Sequence, residues 1–204
     1  MSRQGLLPSA SRSEALGAPG EARAQAKLRE TLQWLCGSDY YLHDGPLVIG
    51  HAPGTAFPTA EIDHLAATPF GIFIFETKNW SGRIAPSTAN GMLSRVGSDH
   101  RAEDRRSPLD QNRTKVAFFR ARLPPIWPVL WAQACSPHPS RNLMPDSILT
   151  SSRSADLPQW LRTRRDAHNG LRAVDVQKAS AAIALHSQST KAALDEHKRR
   201  VTSK

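Results

Sequence analysis

The sequence predicts a mixed α/β domain with a β-rich centre and helices before and after it. Three observations carry that expectation. Thr59–Lys78, TAEIDHLAATPFGIFIFETK, reads as two strands joined by a tight turn at Thr68-Pro69-Phe70-Gly71, the second run rich in β-branched and aromatic residues. Glu21–Leu35 carries Leu28, Leu32 and Leu35 at helical spacing, with Ala24 extending the stripe by a turn. Leu109–Phe119 follows Ser107-Pro108, a candidate N-cap and a first-turn proline, and an apolar run Ile126–Ala134 comes next. The order is helix, strand, hairpin, helix, strand.

Taken in turn, residues 1–16 are rich in Ser, Gly, Pro and Ala and read as a flexible tail. Gly17-Ala18-Pro19-Gly20 reads as a break, and Gly37 as a helix stop. Tyr40–Leu42 and Leu47–Ile49, separated by Asp44-Gly45-Pro46, read as a first strand leading into the sheet. After the hairpin, Asn79–Gly82 is a turn and Arg83–Arg106 is polar and irregular, with one short strand at Met92–Val96. Pro128 assigns the Ile126–Ala134 strand to an edge or makes it a strand start. Ser147–Thr150 is a further short strand, and Ala155–Leu161 a short helix capped by Asp156. Residues 17–165 form the expected domain. Residues 166–204 form a basic, Ala-rich, helical extension with an apolar patch at Ala179–Leu185.

With Pro69-Phe70 as a two-residue loop, Asp63 falls opposite Glu76, and Glu61 opposite Lys78. Strand alternation then places Asp63, Glu76 and Lys78 on one face. Opposed carboxylates repel. A divalent cation between them removes the conflict, since Mg²⁺ favours one or two carboxylates completed by water and phosphate oxygens. Lys78 would reach a phosphate or water held there, which makes a hydrolytic site for phosphodiesters. A solvated strand face of alternating acid and lysine is the plain alternative, and a slip of one residue would send Asp63 to the other side. Glu21 is either a first-turn acid favoured by the helix dipole or a third acid for the site. Gln111 either projects toward a bound phosphate or lies on the surface.

A net charge of +9 and a pI of about 10.2 favour a polyanionic partner, nucleic acid first and an anionic membrane second. Between Leu157 and Lys204 ten Lys/Arg face four Asp/Glu, so most of the excess lies there. Two cysteines, Cys36 and Cys135, sit in no CxxC or Cys/His cluster. That speaks against zinc and a disulfide framework and suits a reduced, cytoplasmic setting. No apolar run approaches the ~18 residues of a membrane span, and no secretory signal is visible.

Gly17-x-x-Gly20-Glu21, Glu61-Ile62-Asp63-His64, Gly71-Ile72-Phe73, Glu76-Thr77-Lys78-Asn79-Trp80-Ser81-Gly82 and Pro108-x-x-Gln111-Asn112 together resemble the nuclease-related domain (NERD), itself similar to the restriction-endonuclease-like PD-(D/E)xK superfamily. The resemblance covers roughly 17–134. It implies an α-β-β-β-α-β core, a mixed sheet flanked by helices with the site across its centre. It also implies Mg²⁺, for which Mn²⁺ can substitute, on Asp63 and Glu76. Lys78 would position or activate water, and Glu21 and Gln111 would complete the site. His64 would point to the opposite face as a hydrogen-bonded structural residue, and Trp80 would pack. The implied activity is hydrolysis of DNA, with RNA left open. The competing readings are a non-catalytic nucleic-acid-binding protein on the same fold and an interaction protein whose last helix docks a partner.

Overall fold

The computed structural model describes residues 12–78, 83–90, 92–97, 100–135, 157–168, 170 and 173–203; the side chains of 12–19, 78, 83, 84, 86, 108–110 and 131–135 lie outside that description. The elements are α1 (Arg12–Cys36), β1 (Tyr41–Leu42), β2 (Leu47–Ile49), β3 (Ala60–Ile62), β4 (His64–Thr68), β5 (Gly71–Lys78), β6 (Arg83–Pro86), β7 (Met92–Val96), β8 (Ala102–Arg106), α2 (Pro108–Arg120), β9 (Val129–Cys135), α3 (Leu157–Ala167), α4 (Val176–His186) and α5 (Lys191–Thr202). The expected strand at Ser147–Thr150, the cap Asp156, and Trp80 with its turn fall outside the described residues.

The central sheet has the order β1-β4-β5-β9, antiparallel except for the parallel β5–β9 pair. A parallel pair needs a crossover, and α2 supplies it. Setting aside two small inserted sheets, the sequence α1-β1-β4-β5-α2-β9 is the expected α-β-β-β-α-β core. β9 sits at the edge, where the proline before it costs no ladder bond. Pro128 instead turns its carbonyl to the Ile72 N–H at 2.8 Å.

The β4–β5 hairpin has the predicted register, from His64↔Phe75 to Thr68↔Gly71, around the two-residue loop Pro69-Phe70. Gly71 has φ +154°, and a Cβ there would meet the Phe73 ring at 3.2 Å and the Pro128 carbonyl at 3.3 Å. The backbone therefore favours glycine, and the space for a side chain is tight.

Alternation along β5 builds two cores. Phe73 and Phe75, with Ala66, pack against Leu28, Leu32 and Leu35 of α1 and against Leu157, Trp160 and Leu161 of α3. Ile72 and Ile74, with Leu65 and Ala67, pack against Val116 and Phe119 of α2. Each fully buried Leu, Ile or Phe contributes about 1.5–3 kcal/mol.

Four expectations change. First, α1 begins at Arg12 and runs through Gly17-Ala18-Pro19-Gly20 rather than breaking there. Second, Leu47–Ile49 does not enter the central sheet. It pairs with β3, so that Glu61 lies opposite Val48 and not opposite Lys78. Third, Arg83–Arg106 is a three-stranded antiparallel sheet, β6-β7-β8, rather than irregular chain. Its strand β8 is exposed throughout and lies beside β7, with Glu103 bonded to Arg105 at 2.6 Å and Arg95 at 3.5 Å. Fourth, the helical extension is part of the packing. Val174, Ala179 and Ile183 join the α2-side core, Val174 N–H bonds the Pro69 carbonyl at 2.9 Å, and Gln188 bridges to Val48.

Candidate functional site

Asp63 occupies the bend between β3 and β4, one residue beyond the hairpin ladder. Its Oδ2 accepts the Thr77 backbone N–H at 2.6 Å, and this bond holds the carboxylate against the end of β5. Glu76 follows Ile72 and Ile74 on the α2 face and is buried. Its Oε2 accepts from Lys115 Nζ at 2.6 Å, and neither side chain is more than 8 % exposed. Lys115 lies on α2 one turn after Gln111, so the two share a helix face.

These groups converge on one cavity of about 740 Å³. Asp63, Glu76, Gln111 and Lys115 line it, joined by Glu61, Thr114 and Arg106 at the end of β8. His51, Phe57 and Thr59 come from the segment between β2 and β3, and His197, Lys198 and Val201 from α5. Thr59 Oγ1 and His197 Nδ1 are hydrogen-bonded at 2.8 Å, which ties α5 to that segment. Burial pushes the imidazoles of His51 and His197 below the usual histidine range, and the nearby Lys115 ammonium acts in the same direction on both.

On the other face of the sheet the same strand ends without charge. His64 is buried, with Nδ1 2.7 Å from Gln25 Oε1 and Nε2 3.0 Å from Thr77 Oγ1. Gln25 commits its amide nitrogen to the His43 carbonyl at 2.8 Å. Its oxygen therefore faces His64, whose Nδ1 donates while Nε2 accepts from the Thr77 hydroxyl. Burial lowers the imidazole to about 4, although the Glu76 charge draws it back up, and His64 is neutral at pH 7. It is the hydrogen-bonded structural residue that the resemblance implied. Through Thr77, whose amide holds Asp63, the chain Gln25–His64–Thr77 supports an acid on the opposite side.

The structure therefore brings Asp63, Glu76 and Gln111 together. Lys78 closes β5 opposite Cys135 in the ladder, and its side chain lies outside the described residues. Glu21 lies on α1, a turn before Gln25, exposed and away from the cavity lining. Sequence reasoning missed Lys115, Arg106, His51 and His197. Only Lys115 had a signal, its four-residue spacing from Gln111. The contributions of β8 and α5 depend on tertiary placement.

A central mixed sheet crossed by helices, with paired acids at the end of a hairpin strand, defines a nuclease-like α/β fold. A family model described as the nuclease-related domain matches residues 16–136, more than half of the chain, and the chain belongs to that family, which is of the PD-(D/E)xK kind. Neither a curated protein nor a solved structure shows significant similarity to it.

Proposed function

We propose that the protein is a Mg²⁺-dependent nuclease that hydrolyses phosphodiester bonds in DNA. The observation that carries this reading is the meeting of Asp63, from the bend between β3 and β4, and Glu76, from β5, in one cavity with Gln111 and Lys115.

The donor set fits the ion. Two carboxylates are hard oxygen ligands, and each has about four lone-pair sites. Among the described residues no three His, Cys, Asp or Glu side chains gather tightly enough to hold an ion. Water and substrate phosphate would complete the shell, as Mg²⁺ prefers. Asp63 and Glu76 are the residues that would hold it. Bound there, the ion would polarise the scissile phosphate and acidify a water.

The chain's own groups then have separate tasks. The Thr77 amide fixes Asp63, Lys115 fixes Glu76, and Gln111 offers an amide to a water or phosphate oxygen. Lys78, next but one to Glu76 along β5, is assigned to the attacking water. In the reaction the water oxygen bonds to phosphorus, the bond from phosphorus to the leaving sugar oxygen breaks, and that oxygen takes a proton. Arg106 and Lys198 supply positive charge for the neighbouring phosphates, a contact that positions without reading sequence. Glu21 is kept as a further acid that substrate binding would have to bring in.

The test is hydrolysis of labelled DNA, native and heat-denatured, with Mg²⁺ or Mn²⁺. Asp63→Ala and Glu76→Gln should each lower the rate on the order of 100-fold or more, at or beyond the effect of losing a residue that supports a ligand. Wild-type rates in both variants would defeat the proposal.

One observation favours a second reading. Lys115 forms a buried ion pair with Glu76, a pairing that a non-catalytic nucleic-acid-binding protein on this fold would also keep. Tight, salt-sensitive DNA binding with no cleavage under any divalent metal would select it.

A further inference from the structure

We propose that His51 and His197, joined through Thr59, form with Lys198 a phosphate-binding subsite in the cavity lining, and that nucleic acid is held there more tightly in mildly acidic solution. The inference rests on the nucleic-acid reading above and adds to it a pair of contacts whose charge depends on pH.

The first observation is the placement of the two rings. The Thr59 hydroxyl is 2.8 Å from His197 Nδ1, and the Thr59 backbone is hydrogen-bonded to the ring of His51. One histidine comes from the segment between β2 and β3 and the other from α5, yet both line the cavity, as does Lys198, the next residue of the helix. The segment leading into α5 is fixed to β2, because Val48 and Gln188 exchange backbone hydrogen bonds of 2.7 and 2.9 Å.

The second observation is the contrast with His64. That ring is buried and hydrogen-bonded through both nitrogens. His197 is half-buried and bonded through Nδ1, while its Nε2 has no hydrogen-bond partner and is not sealed from solvent. When protonated, the ring donates Nδ1–H to the Thr59 hydroxyl and keeps Nε2–H for an anion.

The third observation is the crowding of cations. Burial lowers the proton affinity of both imidazoles and Lys115 lowers it further; His197 acts in the same sense on His51, and Lys198 on His197. Hydrogen bonding to the backbone of Thr59 and Phe57 draws His51 back up. A phosphate among these groups would offset their mutual repulsion, so each ring would gain proton affinity on binding. Uptake of protons with the ligand makes affinity rise as pH falls. The other charged groups of the lining are Arg106, Lys115, Glu61, Asp63 and Glu76. They are common to wild type and to histidine variants, so the difference between the two isolates the imidazoles.

The experiment measures binding of a fluorescent oligonucleotide to the full chain, without divalent metal and at fixed ionic strength, at pH 5.5 and pH 8. Wild type should bind on the order of ten-fold more tightly at pH 5.5, as uptake of about one proton over one pH unit predicts. The double variant His51→Gln, His197→Gln should lose most of that gain and keep its affinity at pH 8, where the wild-type rings are neutral. Lys198→Ala, at an exposed position, should reduce the slope of log affinity against log salt by about 0.7–0.9, the loss of one phosphate contact. No gain in wild type, an equal gain in the double variant, weak binding of the folded double variant at both pH values, or an unchanged salt slope for Lys198→Ala would overturn the inference and leave the nuclease reading standing. The expected responses without hydrolysis under Mg²⁺ or Mn²⁺ would uphold the inference and remove the hydrolytic reading. Absence of oligonucleotide binding at either pH would remove both.

Discussion

The two faces of the central sheet are built by one strand, yet they end differently. Toward α1, β5 offers Phe73, Phe75 and Thr77, and the face closes with a neutral chain of hydrogen bonds through His64 and Gln25. Toward α2 it offers Ile72, Ile74 and Glu76, and the face ends in a buried ion pair beside a cavity. A step of one residue separates a side that is satisfied internally from one that retains charge. The neutral side supports the charged one, since Thr77 donates its hydroxyl to His64 and its amide N–H to Asp63.

The comparison breaks most readily at the ion pair. Lys115→Met or Glu76→Gln alone removes a close counter-charge from a buried group and should cost about 3–5 kcal/mol. The double variant should cost clearly less than the sum of the two. Urea denaturation of the four proteins gives the coupling, and strict additivity would mean that the pair is not a unit.

The neutral side should respond to acid. His64 titrates near 6.5 in the unfolded chain and near 4 when folded. The unfolded chain therefore takes up the proton first. The stabilising contribution is complete above pH 6.5 and is lost as pH falls toward 4, to a total of about 3 kcal/mol. Comparing urea midpoints at pH 7 and pH 4.5 for wild type and His64→Gln isolates it; the variant should lose less over that interval.

The bond that joins the two sides is next. Asp63→Ala leaves the Thr77 N–H without its charged acceptor and should cost about 2 kcal/mol. Asp63→Asn, which keeps an acceptor oxygen, should recover part of that stability but none of the metal affinity, as calorimetric titration with Mn²⁺ would show. The smallest effect belongs to the wall of the cavity. Thr190 caps α5 by accepting the Ala193 N–H at 3.3 Å, and Thr190→Ala should cost about 1 kcal/mol. Amide exchange should quicken in the first turn of α5 and leave β5 unchanged.

Much of this contrast was legible in the sequence because it depends on short-range rules. The Pro69-Phe70 turn fixed the hairpin register, alternation then divided Phe73 and Phe75 from Glu76, and His64 was expected on the side where it lies. What stayed hidden depends on contacts between distant segments. A lysine in a helix normally faces water, and Lys115 is buried only because α2 crosses behind the β5–β9 pair. β8 has no apolar alternation, and a strand without a buried face leaves no pattern to read. The run through Asp63 looks like continuous strand, but the chain bends there, with β3 leaving for β2 and β4 staying with β5. That bend aims the carboxylate at the Thr77 amide.

The parallel ladder of β5 with β9 has a consequence for how the molecule is made. On the ribosome, each residue of β5 emerges 57 residues ahead of its partner in the strand that completes it, as from Lys78 to Cys135. During that interval the Gly71–Phe75 edge of a nascent chain is apolar and unpaired, and it is open to pairing with any neighbouring copy. Chaperone demand during synthesis should therefore concentrate on this window, and slowing translation between the two strands should lower the soluble yield.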